Sequence, residues 1–491
     1  MSISSTFSTA ISGLNAMRRH AEVTSNNLAN ALTEGYGRQS IDLGASQLEG
    51  RGVGVRINGV SRASAPEVTA ARRQADGEAA LLEPQANALE RIGRALGEAT
   101  DEDSLAVRVE NFESSLRSFA DSPESEPRQV QVVEAANDLT ARLNSLSSEA
   151  AIVRQNADAT IGTQVQTVQQ NLDRIDDLNA TIVRLDSGGR DVASLVDQRE
   201  RLIDEVSALI PARTHLQPDG SVWMTTTQGL FLLAENPADI QFTRSPIITT
   251  PMIYDPAGGG ALSALTVDGF DITPSSTHPQ RLREGAIAGN FIVRDDIGTE
   301  FNSRLDQFAG DLIARFEDPT VDPTLAAGDA GLFTDDGAVL DPLLVDGLAG
   351  RISLNSLVDP AEGGDAARLR DGLQSAGPGP IGSDTIARNL LDTLTNPRDA
   401  SAIPGIAGNF TAAQMIAGIT EATGIRRVDA QTDLASRAAT REAIALSEAN
   451  LIGVDMDQEL QDLIIIEQAL AANIQVIQAA SRMLEQISEI R

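Results

Sequence analysis

The chain has 491 residues, a formal net charge of −32 and 41% hydrophobic residues, with no cysteine, no lysine and three histidines. A chain of this length buries a core without staples, and with no cysteine and with His20, His215 and His278 far apart, disulfide, zinc-finger and thiol chemistry are excluded. Lacking lysine, it has no P-loop lysine or Schiff-base group, and its charge opposes nucleic acid and anionic membrane surfaces as partners.

The first predicted element is a helix. Ile3, Phe7, Ala10, Leu14, Met17, Ala21, Thr24 and Leu28 follow heptad spacing, and only Thr24 among them is polar. Arg18 and Arg19 follow the apolar stretch and no basic residue precedes it, so it is not an ordinary secretory signal. Its end is "TSNNLANALTEGYGRQ", Thr24 to Gln39, with Asn26, Asn27 and Asn30 close together although asparagine competes for backbone hydrogen bonds inside helices. Asn26 and Asn30 fall one turn apart on one face, with Asn27 beside them. Their amides suit backbone groups freed where the chain leaves the helix at Gly35-Tyr36-Gly37, or groups on a neighbouring subunit.

Further on, Leu139, Leu143, Leu146, Ala150, Val153, Ala157, Ile161, Val165, Val168, Leu172, Ile175, Leu178, Ile182 and Leu185 step by three or four. They predict a helix from about Arg128 to Asp186, on the order of 90 Å long at 1.5 Å per residue. Ser187-Gly188-Gly189 stops it, and "DVASLVDQRERLIDEVSALI" returns as a shorter helix, giving an antiparallel hairpin. From Pro211 to about Arg283, alternating stretches punctuated by Asp-Gly and Asp-Pro turns predict a small β module. Helix resumes at "GAIAGNFIVRDDIGTEFNSRLDQFAGDLIARF". Glu317 to about Pro380 is rich in Gly, Asp and Pro and reads as loops or a reduced domain.

The last helix repeats the heptad pattern at Met456, Leu460, Leu463, Glu467, Leu470, Ile474, Ile477, Ser481 and Leu484, behind a break at Gly453 and a capping box of Asp455 with Gln458. From Leu460 to Leu484 only Asp462, Glu467 and Arg482 are charged. Residues 1–30 carry a net +1 and residues 460–491 a net −2, which leaves −31 to the interior. The run "LIII", Leu463 to Ile466, is far short of the roughly 20 apolar residues that span a bilayer. It leaves the helix apolar on nearly all sides, with more surface than one seam covers. Both ends read as coiled-coil seams, most sharply those of a self-assembling protein, with the core of a monomeric helical bundle as the alternative.

Residues with the chemistry of catalysis are sparse. Asp335-Asp336-Gly337 lacks the calcium-loop pattern and reads as a turn. Asp295 and Asp296 are adjacent in a helix and do not face each other, so they read as a solvated helix face. No catalytic residue, metal site or cofactor is assigned.

"SNNLANALTEGYGRQ" resembles the N-terminal motif of the axial proteins of the bacterial flagellum, the rod, hook and hook-associated proteins, where Asn-Asn-x-x-Asn is followed by Thr-x-Gly and an aromatic. Arg38 and Gln39 narrow the resemblance to the hook-associated proteins of the hook–filament junction. "LVDQRERLIDEVS" is similar to that family's Asp-Gln-Arg helix, "GAIAGNFIVRDDI" to its entry to an Arg-Asp helix, and "GVDMDQELQDLIIIEQALAANIQVIQAASRMLEQI" to its C-terminal signature.

The resemblance implies a structural, non-enzymatic junction protein, extracellular on the flagellum and exported through the flagellar type III apparatus without a cleaved signal. The implied partners are further copies of itself head-to-tail, hook protein, a filament-side hook-associated protein and an export chaperone, with no nucleic acid and no membrane. The implied assembly interface comprises Ile3, Phe7, Leu14, Met17, Asn26, Asn27, Leu28, Asn30, Gly35, Tyr36, Arg38 and Gln39 at one end. At the other it comprises Leu460, Leu463, Ile464, Leu470, Ile474, Ile477, Leu484 and Ile487. A sibling hook or distal rod protein shares the Asn motif, but the long hairpin and Arg38-Gln39 disfavour it. From another class, a secreted acidic enzyme would need convergent carboxylates.

The expected fold is mainly α with a small β module: N- and C-terminal helices paired as a coiled coil, a long central helical hairpin and a β-rich insertion. The expected parts are an N-terminal axial helix and linker at 1–60, a central helical domain with the hairpin at 61–210 and the β module at 211–283. A returning helix at 284–320, loops or a reduced outer domain at 321–400, a helical stretch at 401–453 and the C-terminal axial helix at 454–491 complete the chain.

Overall fold

The periodic segments are helices in the computed structural model, which describes residues 3–33, 35–48, 51–98, 100–188 and 190–489. Helix α1 (Ile3–Ala29) leads into a hairpin of β1 (Gln39–Leu48) and β2 (Arg51–Arg62). There follow α2 (Pro66–Leu96), α3 (Leu105–Asp121), α4 (Glu126–Asp186) and α5 (Ala193–Leu209). The β-rich interval gives two separate three-stranded antiparallel sheets. One is β3 (Ala212–Leu216), β4 (Val222–Thr226) and β5 (Phe231–Leu233); the other is β6 (Ile240–Gln241), β7 (Thr266–Val267) and β8 (Phe270–Asp271). Then come α6 (Ala286–Ile292), a π-helical turn (Val293–Ile297) and α7 (Gly298–Phe316). Strands β9 (Phe333–Asp335) and β10 (Ile352–Leu354), helices α8 (Arg368–Asp371) and α9 (Thr385–Thr395), and a short pair β11 (Arg398–Asp399) and β12 (Asn409–Phe410) precede α10 (Ala412–Ile452) and α11 (Met456–Glu489).

The contacts define two units. The first is Met1–Ala79, Gln166–Asp239 and Arg437–Arg491; the second is Ala80–Val165 and Ile240–Ser436. Mainly α architecture with small sheets, paired terminal helices and a central hairpin agrees with the expectation from periodicity.

In the first unit α1 packs against α11 and against both strands of the β1–β2 hairpin. Gly13 lies against Asn473 and Arg38, just past α1, reaches Glu459, so the terminal helices run antiparallel. The Asn171 amide donates to Glu205 at 2.8 Å and Arg199 to Asn179 at 3.0 Å, which holds α5 antiparallel to the end of α4. Asn179 also bonds both backbone groups of Val222, tying the first sheet to the hairpin.

On α1 the heptad residues Ala10 and Thr24 are buried and Phe7, Leu14, Met17 and Leu28 half-buried, while Ala16, Val23 and Asn27, each one residue before a heptad position, are buried as well. On α11 the register differs. The covered band is Glu459, Leu463, Ile466, Leu470, Asn473, Ile477 and Ala480, whereas Leu460, Glu467, Ile474, Ser481 and Leu484 are exposed. A helix that is apolar on most sides offers several seams of similar period, and polar contacts select one. Arg38 draws Glu459 inward, and Asn473 fills the space left by the missing side chain of Gly13.

In the second unit Phe112, Phe316 and Phe333 meet edge to face, with ring centroids 5.3–6.0 Å apart. The Gly/Asp/Pro-rich interval folds onto this core, contributing Leu332, Phe333, Leu348, Ile352, Leu354 and Val358. Asp306 on α7 anchors it, accepting the backbone N–H of Gly347 and of Ala349, each at 2.8 Å.

The Arg-Asp stretch corrects the solvated-face reading of Asp295. Arg294 is fully buried; it donates to Asp158 at 2.9 Å and to Asp295 at 2.7 Å, and its guanidinium lies over the Phe291 ring. Desolvation pushes the Asp295 carboxyl up and Arg294 opposes that shift. Asp296 remains exposed and pairs with Arg426. At Asp335-Asp336-Gly337 the chain turns, with φ of +51° at Asp336 and +86° at Gly337, and Arg351 holds the Asp335 carboxylate at 2.8 Å.

Candidate assembly site

The asparagine-rich end of α1 is organised around Asn27, which is buried. Its side-chain oxygen accepts the Tyr36 hydroxyl and the Gln39 N–H, each at 2.9 Å, and its amide donates to the Gln39 carbonyl at 2.8 Å. One side chain thus satisfies both backbone groups of the first residue of β1. Asn30 acts locally, donating to the Asn26 carbonyl at 2.9 Å, and the Asn26 side chain is exposed. Asn27 and Asn30 therefore end the helix and set the turn, and Asn26 points to solvent.

The loop after the turn is held from three directions. Gly35 takes φ of +75°, a conformation glycine adopts without strain. The buried Gly37 donates its N–H to Asp197 of α5 at 3.3 Å, and Arg62 of β2 bonds the same carboxylate oxygen. A Cβ at Gly37 would lie 2.7 Å from the Arg62 guanidinium, so a side chain there would push the arginine off Asp197. Arg38 donates its backbone N–H to Ile452 at 2.8 Å, its Nε to Glu459 at 2.6 Å and an Nη to Asp462 at 3.4 Å. Burial, with Asp197 and Glu459 nearby, pushes the Tyr36 hydroxyl up to about 12, so it remains a donor to Asn27.

Of the residues expected at the interface, Asn27, Gly35, Tyr36, Arg38 and Gln39 are thus brought together by bonds within the chain. Phe7, Leu14, Met17 and Leu28 line the half-buried band of α1, and Leu463, Leu470 and Ile477 the band of α11. Leu460, Ile464, Ile474 and Leu484 face solvent. The side chains of Ile3 and Ile487 lie outside the described residues. Four residues of the cluster were not singled out: Arg62, Asp197, Glu459 and Asp462. Asp462 is one of three charges between Leu460 and Leu484, and Asp197 opens the Asp-Gln-Arg motif, so both carried a signal; Arg62 is one of 38 arginines and carried none.

This geometry is a mechanical lock. It joins the end of α1, the hairpin, α5 and the start of α11, and leaves apolar side chains of α11 uncovered. Ala412–Gln486 contains a window long and apolar enough, by length and composition alone, to cross a membrane. Among the described residues no group of three or more His, Asp or Glu side chains is placed to hold a metal ion.

Residues 89–329 match the family model of the flagellar hook-associated protein FlgK helical domain. Residues 7–36 match that of the flagella basal body rod protein, and residues 452–490 that of the flagellar basal body rod FlgEFG protein C-terminal. The chain is 26% identical over 233 residues to flagellar hook-associated protein 1 of Bacillus subtilis, which covers 45% of this chain and 46% of that one. It is 25% identical over 270 residues to flagellar hook-associated protein 1 of Escherichia coli, covering 52% and 49%. The chain therefore spans about half the length of the curated relatives it matches. The flagellar hook junction protein FlgK from Burkholderia pseudomallei superposes with a TM-score of 0.43 at 16% identity, over 54% of this chain and 46% of that one.

Proposed function

We propose that this chain, which belongs to the flagellar hook-associated protein 1 family, is a non-catalytic structural subunit of the flagellum, joining hook to filament and assembling with copies of itself in a helical array. The lock at Arg38 carries the reading: residues from the N-terminal motif, the Asp-Gln-Arg helix and the C-terminal signature, far apart in sequence, meet in one cluster. That cluster presents the paired terminal helices with α11 largely uncovered and, from Leu460 to Leu484, charged only at Asp462, Glu467 and Arg482. An array of head-to-tail contacts need not close on itself and suits a tubular structure. The interface residues belong to the same proposal, with Leu460, Ile464, Ile474 and Leu484 as contacts between subunits. Hook protein on one side, a filament-side hook-associated protein on the other and an export chaperone before assembly are the expected partners, with export through the flagellar type III apparatus to the cell exterior.

Immunogold labelling of isolated flagella with antibody to this chain tests the reading. Label at the boundary of hook and filament supports it. Label along the hook or rod assigns the chain to a sibling axial role, and flagella without label overturn the proposal.

A further inference from the structure

We infer that the second unit holds a binding site for a small organic cation, a primary ammonium or guanidinium on an apolar stem, between α2, α4 and α6. A cavity of about 440 Å³ opens there, within the range that small ligands occupy. Its wall on α2 contains Pro84, the one proline inside that helix. Proline has no N–H, so the carbonyl of Ala80, which also lines the cavity, lacks its usual helical donor. Helix α6 comes close at this point because residue 289 is glycine: a Cβ there would lie 2.8 Å from the Pro84 ring and would run into the Leu81 carbonyl. The close approach seats Asn290 in the wall. Asn290 is 7% exposed, and its amide donates to the Ala286 carbonyl at 2.9 Å and to Gln164 at 3.2 Å, which fixes its orientation. Its Oδ1 accepts no hydrogen bond among the described residues.

The cavity thus offers acceptors that the fold leaves without donors. Glu83, exposed in its wall, has no ion pair among the described residues, and the cavity's arginine, Arg91, is engaged by Glu149. Ala88, Val153 and Ala157 are buried and give an apolar floor. An anion would meet Glu83 and a chain of net −32, and a neutral polyol would use neither the carboxylate's charge nor the chain's field. A cation with N–H groups answers the Glu83 carboxylate, the Ala80 carbonyl and Asn290 together through charge-assisted hydrogen bonds, with its stem on the apolar floor. The chain has no lysine that could fill the site from within.

Calorimetric titration of the full-length monomer with agmatine, which carries one guanidinium and one ammonium, tests this. One agmatine per chain is expected. Glu83→Gln should weaken binding about tenfold or more, the worth of a hydrogen bond to a charged group. Glu110→Gln, at an exposed position of α3 outside the cavity, should leave binding unchanged. Pro84→Ala returns an N–H to the Ala80 carbonyl and should weaken binding several-fold. Tetramethylammonium, a cation without N–H groups, should not compete. Equal weakening in the two glutamine variants reduces the binding to attraction by the chain's net charge and overturns the site. Absence of agmatine binding overturns it too, as does binding that survives both Glu83→Gln and Pro84→Ala. Displacement of agmatine by glucose overturns the cation in favour of a polyol. With the site upheld, Glu83→Gln that enters flagella as the parent chain does assigns the cation to a free solute. Its loss from flagella, with export and melting unchanged, assigns the cation to an arginine or lysine side chain of a partner.

Discussion

Arg38 Nε lies 2.6 Å from a carboxylate oxygen of Glu459, across 421 residues of sequence, and the glutamate side chain is 2% exposed. A carboxylate withdrawn from water that far requires its partner. Removing the arginine leaves a buried charge, whereas removing both groups leaves a small gap. Arg38→Ala should therefore destabilise the first unit by about 2–3 kcal/mol, and the Arg38→Ala/Glu459→Ala double variant by less than the sum of the single changes. Urea unfolding of the four proteins checks this, and additive single changes would show the pair to be incidental.

Asn27 and Asn26 separate the two roles open to the asparagine motif. Asn27→Ala strands the N–H and carbonyl of Gln39 and should lower stability by about 1–3 kcal/mol, read as a Tm several degrees lower. Asn26, whose side chain is exposed, should tolerate alanine in the monomer. If Asn26→Ala nevertheless reduces incorporation into flagella, its role lies between subunits. If it incorporates normally, the motif serves only to end α1 and begin β1.

Helix existence was legible because burial repeats every three to four residues: α1, the hairpin of α4 with α5, and α11 each lie where their apolar periods predict. The face that α11 turns to α1 was not. Its surface is apolar on most sides, and the choice between Ile474 and Asn473 rests on a glycine and an arginine distant in sequence, which no local period encodes. Phe333 was illegible for a similar reason. With Leu332 it lies in a stretch rich in Gly, Asp and Pro that has no apolar period, and it packs against Phe112 and Phe316 from distant helices. Asp295 reads with Asp296 as a solvated face, whereas it is drawn inward by the buried Arg294, whose other partner Asp158 lies on α4 and shows no relation to this stretch in sequence.

Asp306 gives the second unit an acid-stabilised contribution. Burial raises its carboxyl to about 6, against the opposing backbone N–H groups of Ala349 and Gly347. Between about pH 4 and pH 6 the native chain thus holds a proton that the unfolded chain has released. This group's contribution is fully present below pH 4 and is lost as pH rises through 6, amounting to about 3 kcal/mol. Other carboxylates titrate in the same range, so the informative quantity is the difference from Asp306→Asn. The parent chain should gain more stability than the variant between pH 7 and pH 4.5 in urea unfolding; equal gains would place the Asp306 carboxyl near its ordinary range.

Ile466 and Ile474 lie on the same helix with opposite surroundings, the first buried and the second exposed by 38%. Aspartate at Ile466 must either carry a charge into the contact with α1 or pull α11 away from it, and the monomer should lose several kcal/mol. Aspartate at Ile474 remains in water in the monomer, so the melting temperature should hold while incorporation into flagella falls. Thermal unfolding beside a motility and assembly assay distinguishes the two. Equal loss of monomer stability would mean that Ile474 belongs to the α1 contact after all. Full assembly of Ile474→Asp would remove that flank of α11 from the interface, because a charge on a surface that copies must dry is the change assembly tolerates least.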